Sequence, residues 1–244
     1  MKRFLRLLYQ PYKWLIFFPL FALFTCILVL MGIIVLLIFD DYAANRTTGV
    51  WWARITGFIT PMAVKVRGRE HIKKKQSYII VSNHQSMYDV LVLYGWLGVD
   101  LKWVIKKELR KVPVIGFAAE KGGNIFIDRS DPKAAYESLQ QARKKVVNGT
   151  SIIILPEGTR SRNGEVGEFK KGAFCLAREL KLPILPVTIM NTGKILPTGT
   201  FDLFPGRAIM KIHQPIDTAS CDEASFDELI VTVRDIIRSG LDEK

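Results

Sequence analysis

From Trp14 to Phe39 the chain runs for 26 residues without a single charge, and no other stretch restricts its fold as strongly. A surface helix of a soluble protein is apolar along one stripe, whereas this run is apolar on every side. About 18 such residues already suggest membrane insertion. As a helix the segment would be about 39 Å long, against roughly 30 Å of hydrocarbon. It is too long for the apolar part of a cleaved signal peptide, and no small-residue cleavage site follows it. The segment is therefore expected to bind the chain to a membrane. Lys2, Arg3, Arg6 and Lys13 precede it and Asp40 and Asp41 follow it, which places the N-terminus on the cytoplasmic side. A second apolar stretch, Ala43 to Val64, carries Trp51, Trp52, Ile55, Phe58 and Ile59 near helical spacing. Two helices could form a hairpin or monotopic anchor that returns the chain to its starting side.

Charge narrows the partners. The net charge is +12, and residues 1–214 hold 32 Lys/Arg against 15 Asp/Glu, while 215–244 hold 3 against 8. Such a basic body suits anionic lipid headgroups or phosphorylated substrates. Nucleic acid is not expected, because the chain has neither zinc-finger spacing nor an aromatic RNA-binding signature. Cys26, Cys175 and Cys221 are far apart and form no C-x-x-C pair. They fit a reducing compartment and make neither a disulfide framework nor a metal site, so no metal or other cofactor is expected.

After residue 63 the pattern changes. Short apolar runs at Val64–Arg67, Tyr78–Ser82, Leu101–Ile105, Asn124–Ile127, Ser151–Leu155, Ile184–Ile189 and Arg207–Ile212 read as strands. They alternate with helical stretches at Asp89–Leu97, Asp131–Val147, Phe169–Leu180 and Ser225–Ser239. Asp131-Pro132 opens one of these as N-cap and first-turn proline. Gly193 to Pro205 reads as a surface loop. The expected fold is α/β: a largely parallel or mixed sheet flanked by helices (64–244), behind an N-terminal apolar helical membrane anchor (1–63).

The chemistry is concentrated at strand ends. His84, one of three histidines, follows a strand in Asn83-His84-Gln85-Ser86-Met87-Tyr88-Asp89. On one continuous helix, residues five apart point about 140° away from each other. His84 must therefore lie in the turn before the helix for Asp89 to reach it. Histidines in such turns also serve as caps or fillers, but a base with its orienting carboxylate is two-thirds of a catalytic triad. Arg129 and Arg160 each arrive just after an apolar strand, where a guanidinium can fork onto a phosphate, and Lys106 can add a point charge. Gly-x-Ser-x-Gly is absent, which argues against an acyl-enzyme built on a serine elbow.

Four blocks together resemble the glycerolipid acyltransferases over roughly residues 65–190. They are Asn83-His84 with Asp89, Gly123 to Arg129, Pro156-Glu157-Gly158-Thr159-Arg160-Ser161, and the proline-containing run Leu182 to Val187. The resemblance is strongest to the branch that acylates lysophosphatidate, with Leu155 standing where many relatives have Phe. It implies transfer of a fatty acyl group from acyl-CoA or acyl-carrier protein to the 2-hydroxyl of that lipid, at the cytoplasmic face of a bacterial inner membrane. Other acceptors, namely glycerol-3-phosphate, a lysophospholipid or an amino-acid lipid, and a non-catalytic lipid-binding role are the alternatives.

In this reading His84 is the general base and Asp89 orients it. Arg160, Arg129 and Lys106 hold the acceptor phosphate, and Gly158 and Thr159 belong to the substrate-binding turn. Glu157 either orients an arginine or touches the acceptor's free hydroxyl. Backbone N–H groups near Gly158 or at the helix after His84 are the expected oxyanion donors. The apolar Leu182–Val187 run is a candidate wall for an acyl chain.

Overall fold

The computed structural model describes residues 9–112, 115–128, 131, 134, 137–138, 146, 149–219, 221 and 224–242. The apolar N-terminal run is helical from Tyr9 to Ile38, and few of its residues are fully buried. Its main part, α1 (Phe18–Ile38), folds back onto α2 (Val50–Ile59). The contacts run antiparallel. Tyr12 donates its hydroxyl to Ile59 O at 2.6 Å, and Trp52 Nε1 donates to Thr25 Oγ1 at 3.1 Å. A Cβ on Gly32 would lie 3.0 Å from Thr48 Oγ1. The second helix is shorter than the apolar pattern suggests. Pro61, which biases its predecessor away from helix, ends it, and β1 (Met62–Arg67) starts two residues before Val64.

Six further strands follow: β2 (Ile79–Ser82), β3 (Asp100–Lys106), β4 (Ile125–Ile127), β5 (Thr150–Ile154), β6 (Ile184–Met190) and β7 (Gly206–Ile212). All seven coincide with expected strands to within one or two residues. The spatial order is β1-β7-β6-β2-β5-β3-β4. Every pairing is parallel except β6 with β7, so the sheet is mixed. The flanking helices are α3 (Tyr88–Trp96), α4 (Ile115–Lys121), α5 (Gly172–Leu180), α6 (Thr192–Ile195) and α7 (Phe226–Asp242). The short helices α4 and α6 were not expected. The Asp131–Val147 helix falls mostly outside the described residues, although Asp131 accepts from Ala134 N–H as an N-cap does.

Alternation along the strands sends side chains to two cores. Ile80, Leu185 and Val187 pack with Tyr88, Leu91 and Leu93 of α3, and with Phe17, Ala53 and Ile59 of the N-terminal helices. Ile79, Val81 and Ile184 pack on the other face with Phe174 and Ala177 of α5 and Val233 and Ile237 of α7. The anchor helices thus cover one face of the sheet, and α5 and α7 the other.

Candidate active site

β2 lies in the middle of the sheet, and His84 leaves its carboxyl end, where open α/β sheets bind ligands. His84 sits in the turn before α3 and Asp89 in the first turn of that helix. His84 Nδ1 lies 2.7 Å from Asp89 Oδ2. Because a carboxylate only accepts, this bond assigns the proton to Nδ1 and leaves Nε2 as the basic nitrogen. Among the described residues Nε2 has no hydrogen-bond partner, and the side chain keeps 15% of its surface exposed, while that of Asp89 keeps none.

Burying a carboxylate this fully requires compensation. Asp89 Oδ2 also accepts from the backbone N–H groups of Gln85 and Ser86, at 2.7 and 2.8 Å, and Oδ1 accepts from the Thr192 hydroxyl at the start of α6. The two amides close the turn around the carboxylate and fix the ring between them.

Neighbouring loops hold that turn in place. Asn83 makes a two-way bond with the backbone of Ile189 in β6, at 2.9 and 2.8 Å. His84 O accepts from Ser161 N–H at 2.7 Å. Glu157 uses both oxygens on backbone: Oε1 accepts from His84 N–H at 2.8 Å and Oε2 from Gly167 N–H at 3.0 Å. Burial pushes its carboxyl pKa up, and the two amides pull it part of the way back. Its present bonds are to backbone rather than to an arginine, and they fix the position of the histidine's own backbone. Gly158 adopts φ +73°, which L side chains rarely adopt, and a Cβ there would lie 3.2 Å from Lys170 Nζ. That contact brings a lysine into the turn that the motif alone did not indicate.

The remaining expected residues are spread along the same edge. Arg160 and Thr159 are exposed in the loop after β5, next to Ser161 and so beside His84. Lys106 is exposed at the end of β3, one strand beyond β5. Its neighbour Lys107 pairs with Asp128. Arg129 lies outside the described residues. Of the apolar run Leu182–Val187, Ile184 to Val187 are buried in the first half of β6 and do not form a wall for a ligand, whereas Leu182 and Pro183 are half-buried. Three of the candidate oxyanion donors are engaged: Gln85 and Ser86 N–H with Asp89, and Gly158 N–H with Leu155 O. Thr192 was missed altogether. Among the described residues, no group of three or more His, Cys, Asp and Glu could hold a metal ion.

An apolar groove of about 230 Å³ opens beside the histidine turn, lined by Phe17, Phe21, Met87, Tyr88, Leu91 and Leu203 among others. It joins the anchor helices to the start of α3.

Fold and site together define an α/β protein that presents a carboxylate-oriented histidine beyond the carboxyl ends of its strands, next to an apolar groove. The chain belongs to the acyltransferase family, whose model matches residues 63–190. It is 35% identical over 212 residues to the chloroplastic 1-acyl-sn-glycerol-3-phosphate acyltransferase of Brassica napus, covering 83% of this chain and 61% of that one. It thus spans about three-fifths of the plant protein's length. The 1-acyl-sn-glycerol-3-phosphate acyltransferase of Saccharomyces cerevisiae is 33% identical over 220 residues, covering 88% of this chain and 72% of that one. The crystal structure of the 1-acyl-sn-glycerophosphate acyltransferase from Thermotoga maritima matches 100% of this chain and 97% of its own. The TM-score is 0.78 and the identity 27%.

Proposed function

We propose that this chain is a 1-acylglycerol-3-phosphate O-acyltransferase, moving a fatty acyl group from a thioester to the 2-hydroxyl of lysophosphatidate to give phosphatidate. The observation that carries the reading is the His84 Nδ1–Asp89 bond, which leaves Nε2 basic and accessible. The similarity to 1-acyl-sn-glycerol-3-phosphate acyltransferases supports the acceptor.

In this mechanism Nε2 takes the proton of the acceptor hydroxyl as its oxygen bonds to the thioester carbonyl carbon. The buried carboxylate stabilises the imidazolium that forms. Collapse of the tetrahedral adduct breaks the C–S bond, and the imidazolium returns the proton to the departing sulfur. Free thiol and phosphatidate leave, with the histidine reset. Arg160, Lys106 and Arg129 hold the acceptor phosphate, which fixes the hydroxyl beside Nε2. The apolar groove accommodates hydrocarbon, and the anchor keeps the site at the bilayer surface, with the α/β domain on the cytoplasmic side of a bacterial inner membrane.

The test is thiol release from acyl-CoA or acyl-carrier protein by protein in detergent, with and without lysophosphatidate, alongside His84→Ala. Acceptor-dependent release should fall at least about 100-fold in the variant, with an unchanged circular dichroism spectrum. Near-normal turnover by His84→Ala would sink the mechanism. A panel of other acceptors that outperform lysophosphatidate would replace the substrate.

A further inference from the structure

The turn that carries His84 separates two cavities, one apolar and one of mixed lining that carries two cations. Met87 and Tyr88 line the apolar groove, whereas Gln85 lines a second cavity of about 480 Å³. The segment after β6 divides in the same way: Leu196 borders the groove, and Pro197 and Thr198 border the second cavity. Thr198 ties the two walls together by donating to Gln85 O at 3.0 Å. The groove is built from α1 and α3, on the anchor side of the sheet. The second cavity is walled by Leu241 of α7, on the opposite side.

This second cavity falls within the roughly 300–1,000 Å³ typical of small-molecule sites. Among the described residues its lining contains two cations, Arg162 and Lys194, both exposed, and no carboxylate. Glu165, in the same loop as Arg162, is engaged by Asn163 Nδ2 at 2.7 Å. The described lining therefore carries positive charge and lies away from the membrane anchor, yet it reaches the residue next to the catalytic histidine.

We propose that this cavity binds the nucleotide end of a coenzyme A thioester, with Arg162 and Lys194 on its phosphates. The assignment rests on the acyl-transfer reading and specifies its donor side. A water-soluble polyanion and a membrane lipid have to meet at one histidine, and here they approach from opposite sides of the same turn. The lipid enters from the apolar groove. The donor nucleotide sits in the cationic cavity, and its long flexible arm carries the thioester over Gln85 to His84. Arginine offers a planar fork to phosphate and lysine a mobile point charge, a combination suited to a ligand with several phosphates.

The experiment measures equilibrium binding of coenzyme A to the full chain in detergent, for the unaltered protein and for the Arg162→Ala/Lys194→Ala pair. KM values for acyl-CoA and lysophosphatidate are measured alongside. Loss of two charge-assisted phosphate contacts should weaken coenzyme A binding and raise the donor KM by about tenfold or more. The lysophosphatidate KM should stay unchanged. Adenosine 3′,5′-bisphosphate should compete with acyl-CoA in the unaltered protein and much less in the variant. Equal coenzyme A binding by both proteins, or a rise in the lysophosphatidate KM alone, overturns the assignment. So does a protein that binds no coenzyme A and works only with acyl-carrier protein. Coenzyme A binding that depends on both cations, without any acyl transfer, would instead leave the site standing and remove the proposed reaction.

Discussion

Asp89 is held from four directions, by the His84 ring, two backbone amides and the Thr192 hydroxyl. In the proposed mechanism its charge stabilises the imidazolium and its fixed position sets the ring plane, so the two contributions can be separated by mutation. Asp89→Asn keeps the shape and removes the charge, and kcat should fall roughly 10³–10⁴-fold, as expected when a triad carboxylate is neutralised. Thr192→Val keeps the charge but leaves one buried carboxylate oxygen without its donor. That should cost about 1–3 kcal/mol of stability and lower kcat several-fold, with both KM values unchanged and Thr192→Ser restoring the rate. Steady-state kinetics and thermal unfolding of the four proteins check this, and an unchanged kcat in Thr192→Val would remove the threonine from the machinery. His84 and Asp89 were legible in the sequence because they are five residues apart and bracket a helix start. Thr192 was not, because it comes from 103 positions further on and an isolated threonine carries no signal of its own. Glu157 was visible as a motif residue, but its bonds to the backbone depend on how two distant loops meet.

At the scale of elements, α7 shows what periodicity reveals and what it conceals. The apolar period marked a helix over Ser225–Ser239. The helix instead continues through Gly240 to Asp242. The glycine is needed for contact rather than for termination: a Cβ there would lie 2.4 Å from Thr188 Oγ1 and 3.0 Å from His213 Nε2. Thr188 donates its hydroxyl to Ile237 O at 2.8 Å, so it accepts from His213 Nε2–H, also at 2.8 Å. This buried relay fastens α7 to β6 and to the segment after β7. Gly→Ala in an exposed helix gains about 1 kcal/mol. Here the overlap should outweigh that gain by about 1–3 kcal/mol, so Gly240→Ala should unfold at a lower temperature than the unaltered protein. Thr188→Ala, which removes the obstacle, should recover part of the loss in the double variant. A higher melting temperature for Gly240→Ala alone would mean that α7 shifts freely on the sheet. The antiparallel direction of β7 was equally hidden, because an apolar strand reads the same in either direction. Only β6–β7 pairing decides it.

For the whole molecule, composition marked the apolar N-terminal helix but not its integration with the domain. Phe17, Ala53 and Ile59 share one core with Tyr88, Leu91 and the sheet, and Thr60 Oγ1 meets the Tyr88 hydroxyl at 2.6 Å. These contacts link residues from both sides of position 63, which a one-dimensional change of pattern cannot reveal. The consequence is geometric: the hairpin's outer surface and the groove beside His84 are held at a fixed relation, so contact of that surface with a bilayer would present the site to lipid. Trp14 and Trp51 are more than half exposed on that outer surface, whereas Trp103 is buried in the domain core. Reconstituted protein should therefore lose tryptophan emission when the vesicle acyl chains are brominated. The loss should shrink by at least about two-fifths, the share of two of the five tryptophans, in the Trp14→Phe/Trp51→Phe variant. Acyl transfer should persist in that variant, because phenylalanine preserves the apolar surface. Emission insensitive to brominated chains would mean that this surface does not enter the bilayer, and the acceptor would then have to reach the groove as a monomer from water. Burial of each lipid methylene is worth about 0.8 kcal/mol, which makes that route negligible for a long-chain lysophosphatidate.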